Sequence, residues 1–187
     1  LKPTNVPQQF TKEEVEEYVK CRDDIVYFLK NYVQVIHVDK GLVPFDLYDY
    51  QEDLINTLHN NRYVIVKSAR QSGKSVTSLG YILHYVLFNK TKIVGMLANK
   101  ASTSRELLGR LQTAYQHLPK FLQQGIVEWN KGNLELENGS KIIASSTSSS
   151  AIRGFSFSLI FLDEFAFVQR TIADAFIKSV YPTISSG

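Results

Sequence analysis

This 187-residue chain has little of what marks a secreted, membrane-spanning or filamentous protein. Cys21 is its one cysteine, which excludes an internal disulfide framework and suits a reducing compartment. No stretch approaches the ~18 consecutive apolar residues of a spanning helix, and the N-terminus lacks a signal-peptide pattern. The expectation is a soluble, intracellular protein with no membrane partner. Internal repeats and low-complexity tracts are absent as well. Neither sign of charge dominates: 21 basic and 18 acidic residues leave +3, which permits a polyanionic partner without demanding one. Against these absences stand 44% apolar residues, enough for a real core. A chain of this length buries about 70% of its unfolded surface, so one catalytic domain with a small appendage fits better than a tail or filament.

Periodicity supplies the elements. Thr11 followed by Glu14 is a capping-box pattern that predicts a helix to about Cys21, and apolar residues at helical spacing predict a second over 24–35. Gly41 and Pro44 break that pattern, so a helical N-terminal appendage is placed at 1–43 and the main domain at 44–187. Helices are predicted at 49–59 and 75–88, strands at 63–67 and 92–98. A second capping box, Thr103 with Glu106, predicts a helix from there to about His117. Shorter strands follow at 125–129 and 133–145, with Asn138-Gly139 as a hairpin turn. Strands alternating with helices favour an α/β fold, a mostly parallel central sheet flanked by helices.

The apolar run at 63–67 leads into Ser68, Ala69, Arg70, Gln71, Ser72, Gly73, Lys74 and Ser75. A small-residue turn ending in Gly-Lys-Ser reads as a phosphate-binding loop. Its exposed amides cradle phosphate oxygens, Lys74 sets a positive charge on the β- and γ-phosphates, and the Ser75 hydroxyl ligates Mg²⁺. A helix opening there aims its dipole at the anion. The usual pattern begins with Gly, where this chain has Ser68.

Gly-Lys-Ser alone is a weak signal, and a second one comes from the buried-type strand at 158–162, which ends in Asp163 and Glu164. Its C-terminal end belongs at the same crevice as the loop. There Asp163 would hold Mg²⁺ through water and Glu164 would polarise the attacking water. Two arginines compete as a charge-stabilising finger: Arg70 inside the loop, for its own nucleotide, and Arg153 before the last strand, for a neighbouring subunit. Upstream, Tyr50 could stack on a base and Gln51 could offer donor and acceptor to an adenine edge. In the competing reading Tyr50 is core and Gln51 is a helix-surface residue. Lys100, Arg105 and Arg110 are candidates for DNA-backbone contact, although a solvated helix face accounts for them more simply.

Taken together, aromatic-Gln at 50–51, Ser-Ala-Arg-Gln-Ser-Gly-Lys-Ser at 68–75, Ile-Val-Glu-Trp-Asn at 126–130, Asn-Gly-Ser at 138–140, Arg153-Gly154 and Ile-Phe-Leu-Asp-Glu at 160–164 resemble the ATPase domain of the large terminase subunit. This is the DNA-packaging motor of tailed bacteriophages, and the likeness is closest to myovirus-type members. It runs from about Asp24 to Gly187. Ser68 in place of Gly is typical of these enzymes, and the family's adenine-reading Gln maps onto Gln51. A second Gln used by some members falls on Asp46, where this chain departs.

The resemblance implies a RecA-like (ASCE) P-loop NTPase that uses ATP and Mg²⁺ to drive double-stranded DNA into a preformed capsid in the host cytoplasm. Its partners would be a portal protein, the small terminase subunit and further copies in a ring. A Thr-rich coupling strand and an RNase H-like nuclease are expected beyond Gly187. A helicase-type ATPase is the alternative. Phe165-Ala166 after Asp163-Glu164 speaks against it, because the commonest helicase signatures carry Ala-Asp or Ala-His there. A nucleotide-binding subunit without turnover is a third reading, opposed by the presence of both Lys74 and Glu164.

Overall fold

The computed structural model describes residues 1–37, 39–147 and 154–185, with only the backbone for 180–185. Thr11 starts the first helix, α1 (Lys12–Asp23), by accepting a bond from the Glu14 amide at 3.2 Å while Glu14 accepts from the Thr11 amide at 3.0 Å. This is the capping box read from the sequence. Asp24 ends α1 and its carboxylate caps α2 (Ile25–Tyr32), accepting from the Tyr27 amide at 2.8 Å. Helix α2 stops earlier than its periodicity suggests. The residues after it form an antiparallel hairpin, β1 (Gln34–His37) and β2 (Gly41–Pro44), in which Val35 pairs with Val43. Val and Ile pack as readily on a pleated strand as on a helix, so a short apolar run does not decide between them.

Helix α3 (Asp49–Asn60) follows as expected, but the strand predicted at 63–67 joins neither sheet. Ile65 is 97% exposed. An apolar run shows what could be buried and leaves open what covers it.

Helix α4 (Lys74–Phe88) is the centre of the molecule, buried on nearly every side from Thr77 to Leu87, as an all-round apolar helix must be. Two of its buried polar residues are satisfied locally. Thr77 Oγ1 donates to the Gly73 carbonyl at 3.0 Å and Ser78 Oγ to the Lys74 carbonyl at 2.9 Å. Helix α5 (Ala101–Gln116) begins at Lys100 rather than at the second capping box. The amides of Thr103 and Ser104 already bond to the Lys100 carbonyl, so Thr103 is an interior residue and caps nothing.

The main sheet has the order β4 (Ile126–Trp129), β5 (Asn133–Leu136), β6 (Lys141–Ser146), β3 (Ile93–Ala98), β7 (Leu159–Asp163). Only β6, β3 and β7 run parallel, whereas β4, β5 and β6 form an antiparallel meander. The expected mostly parallel sheet is therefore a mixed one. The cause is the Asn138-Gly139 turn: Gly139 at φ +81° permits a tight connection, and two strands joined that closely can only pair antiparallel. The three parallel strands are the ones that carry the candidate site.

Strand β3 divides the core by simple alternation. Val94 and Met96 join a large cluster with α4, α5 and the N-terminal residues Cys21, Phe28 and Leu29. Leu97 meets Phe157 and, from α6 (Arg170–Ser185), Phe176 on the opposite face. Helices thus flank the sheet on both sides.

Candidate active site

Parallel strands point their C-terminal ends the same way, and here Ser146 and Asp163 both pair with Ala98 at the last position of β3. A crevice at this edge is where open α/β sheets hold ligands. The N-terminus of α4 faces it. Ser75 Oγ donates to Asp163 Oδ1 at 3.3 Å, joining two motifs 88 residues apart. Asp163 is half-buried, and that burial pushes its carboxyl pKa up; the Ser75 hydroxyl and the Lys74 charge pull it down, while neighbouring Glu164 pushes it further up. A desolvated carboxylate beside a second acid gains most from an arriving cation.

The turn before α4 takes left-handed backbone twice, at Gln71 (φ +61°) and Gly73 (φ +75°). Backbone of this kind presents amides to an anion, and the first-turn amides of a helix are free to join them. Gly73 answers two demands at once. Besides its φ, a Cβ there would collide with the side-chain amide of Gln51. Ser68, the departure from the usual pattern, has a definite partner: its hydroxyl lies 2.9 Å from that of Ser72, bridging the two ends of the loop. Arg70 is exposed within the loop.

Helix α3 braces this loop from outside. Tyr50 donates its hydroxyl proton to the Ser72 carbonyl at 2.8 Å, and Gln51 Oε1 accepts from the Tyr48 amide at 3.0 Å. Gln51 is 4% exposed and Tyr50 51%, the reverse of the competing reading that made Tyr50 core and Gln51 surface. Tyr48, which sequence reasoning left out of the site, stacks on Tyr50 with centroids 5.6 Å apart and planes 9° apart. Its only signal was the aromatic-x-aromatic spacing.

Glu164 is exposed and left-handed (φ +51°, ψ 35°), turning the chain out of β7 directly after Asp163. Such a conformation in a residue other than Gly is a strained one of the kind that gathers at functional sites. Arg153 lies outside the described residues. Lys100, Arg105 and Arg110 are exposed, and Arg110 pairs with Glu106 at 2.6 Å on the same helix, as a solvated face would. The structure therefore brings Tyr50, Gln51, Ser68, Ser72, Gly73, Lys74, Ser75, Asp163 and Glu164 to one edge of the sheet. Among the described residues no group of three or more His, Cys, Asp or Glu could form a metal site by itself, and no helix is long and apolar enough to cross a membrane.

Comparison with known proteins bears on the family and the fold. Residues 65–178 match the family model described as terminase large subunit, T4likevirus-type, N-terminal. Among solved structures the chain is similar to the crystal structure of the bacteriophage HK97 large terminase, with a TM-score of 0.68 at 19% identity. The match covers 86% of this chain and 35% of that one, so the present chain spans about a third of its length. At that identity the likeness concerns the fold.

Proposed function

The chain belongs to the T4likevirus-type terminase large subunit family, and from that premise we propose that it is the ATPase part of a motor that moves double-stranded viral DNA into a procapsid. The core would be of the RecA-like P-loop type. The observation that carries the reading is the bond between Ser75 Oγ and Asp163 Oδ1. It sets a hydroxyl beside a carboxylate at the N-terminus of α4, next to Lys74, and this pairing supports a shared cation.

ATP would lie with its phosphates on the loop amides and the first turn of α4, with Lys74 at the β- and γ-phosphates. Ser75 and Asp163 suit Mg²⁺, the first by direct ligation and the second through water. Mg²⁺ rarely uses an all-protein cage and arrives with phosphate oxygens, so two protein groups suffice. Bound there, it would neutralise charge developing on the γ-phosphate. Glu164 would orient the water and accept its proton as the new O–P bond forms and the bond to the bridging oxygen breaks. Arg70 or Arg153 would supply the arginine finger; Gln51, buried with its Oε1 on the Tyr48 amide, would back the loop at Gly73 instead of meeting the adenine.

The assembly would be a ring of copies on a portal protein, fed by the small terminase subunit and working in the host cytoplasm. Turnover by the full-length protein and its Glu164→Gln variant, with DNA and portal, tests the reading. The variant should bind ATP and lose at least about 100-fold in hydrolysis, the scale of a lost general base. Equal turnover in both proteins would remove Glu164 from the mechanism, and a wild type that binds no ATP would refute the function.

A further inference from the structure

The phosphate loop is held by local bonds on its helix side, since Thr77 and Ser78 fix the Gly73 and Lys74 carbonyls from within α4 and Ser68 bridges to Ser72 within the loop itself. None of these ties the loop to the rest of the molecule. Residues 68–71 are exposed, and the segment before them pairs with no strand among the described residues. The Tyr50 hydroxyl does make such a tie, reaching from α3 to the Ser72 carbonyl.

That bond has a consequence for the neighbouring amide. A trans peptide is planar, with its C=O and N–H pointing opposite ways, and the Ser72–Gly73 peptide is trans. Fixing the Ser72 carbonyl toward Tyr50 therefore fixes the Gly73 N–H away from α3. Gly73, free of a Cβ and left-handed, is the residue at which this peptide could most easily rotate. The Tyr50 ring, for its part, already has one face covered by the nearly parallel ring of Tyr48.

We propose that Tyr50 is a positioning residue for the phosphate loop and not a stacking platform for the nucleobase: its hydroxyl locks the Ser72–Gly73 peptide so that the Gly73 amide is presented to a nucleotide phosphate. The inference rests on the ATP-site reading above. Tyr50→Phe keeps the ring and its stack on Tyr48 and removes only the bond.

The test measures KM and kcat for ATP and for GTP in the full-length protein, its Tyr50→Phe and Tyr50→Ala variants, and Lys74→Ala, with thermal midpoints taken without nucleotide. Tyr50→Phe should raise KM for both nucleotides by about three- to tenfold, the range of one lost hydrogen bond, with kcat changed less than about twofold. Tyr50→Ala should do the same and leave the ATP-to-GTP ratio unchanged. An unchanged KM in Tyr50→Phe overturns the proposal, as does loss of the ATP preference in Tyr50→Ala alone, which would make Tyr50 a base contact. A fall in thermal midpoint and kcat with constant KM would assign it a merely structural role and also overturn it. If Lys74→Ala abolishes nucleotide binding while Tyr50→Phe has no effect, this inference fails and the ATP site stands; if Lys74→Ala binds ATP as the wild type does, both fail.

Discussion

Gly73 lies directly against the side-chain amide of Gln51, so the turn into α4 and the start of α3 are packed as one unit. Gln51 cannot simply swing away, because it is buried and its Oε1 holds the Tyr48 amide. Gly73→Ala therefore meets two obstacles, the collision and a left-handed φ that costs an alanine about 1 kcal/mol or more. The variant should lose thermal stability and bind ATP weakly. Adding Gln51→Ala should recover the steric share and leave the backbone share, which a double-mutant cycle on the thermal midpoints separates. Strictly additive losses would show that the two residues do not touch.

His84 gives the fold a pH dependence of its own. It is buried with its ring 4.7 Å from that of Phe88 and 5.5 Å from that of Phe28, and burial lowers its pKa from 6.5 to about 4 even though Nε2 donates to the Cys21 carbonyl at 2.9 Å. Below its ordinary pKa the unfolded chain takes up a proton that the folded chain refuses. Stability is thus complete above about pH 6.5 and lost as pH falls toward 4, by about 3 kcal/mol over that window. His84→Gln keeps a donor for the carbonyl and does not titrate. Urea midpoints between pH 4 and 7 should slope in the wild type and slope much less in the variant; parallel curves would contradict the assignment.

What could be read from the sequence was whatever a few adjacent residues settle stereochemically. Thr11 with Glu14, the Asn138-Gly139 turn and the Gly-Lys-Ser entry to α4 each demand one local geometry, and each adopts it. The pairing of Ser75 with Asp163 was within reach for a different reason: two motifs with complementary chemistry were placed at like ends of parallel elements. Where the outcome depended on a distant partner, the sequence was mute. Nothing in 63–67 tells whether a strand will flank it, and Ile65 faces solvent. Nothing in Tyr50-Gln51 tells which of the two turns inward, because that depends on the empty space at Gly73. Thr103 and Glu106 had the right spacing for a cap, yet Lys100 had already opened the helix.

In the proposed site Ser75 and Asp163 share one divalent cation with a bound triphosphate. A crystal structure of the full-length protein with a non-hydrolysable ATP analogue and Mn²⁺, read from the anomalous signal of the metal, tests it most directly. One ion is expected at about 2.1–2.2 Å from Ser75 Oγ, linked to Asp163 through water, with the phosphates on the amides of the loop ending at Gly73. A metal and triphosphate bound elsewhere, with Ser75 and Asp163 still bonded only to each other, would contradict it.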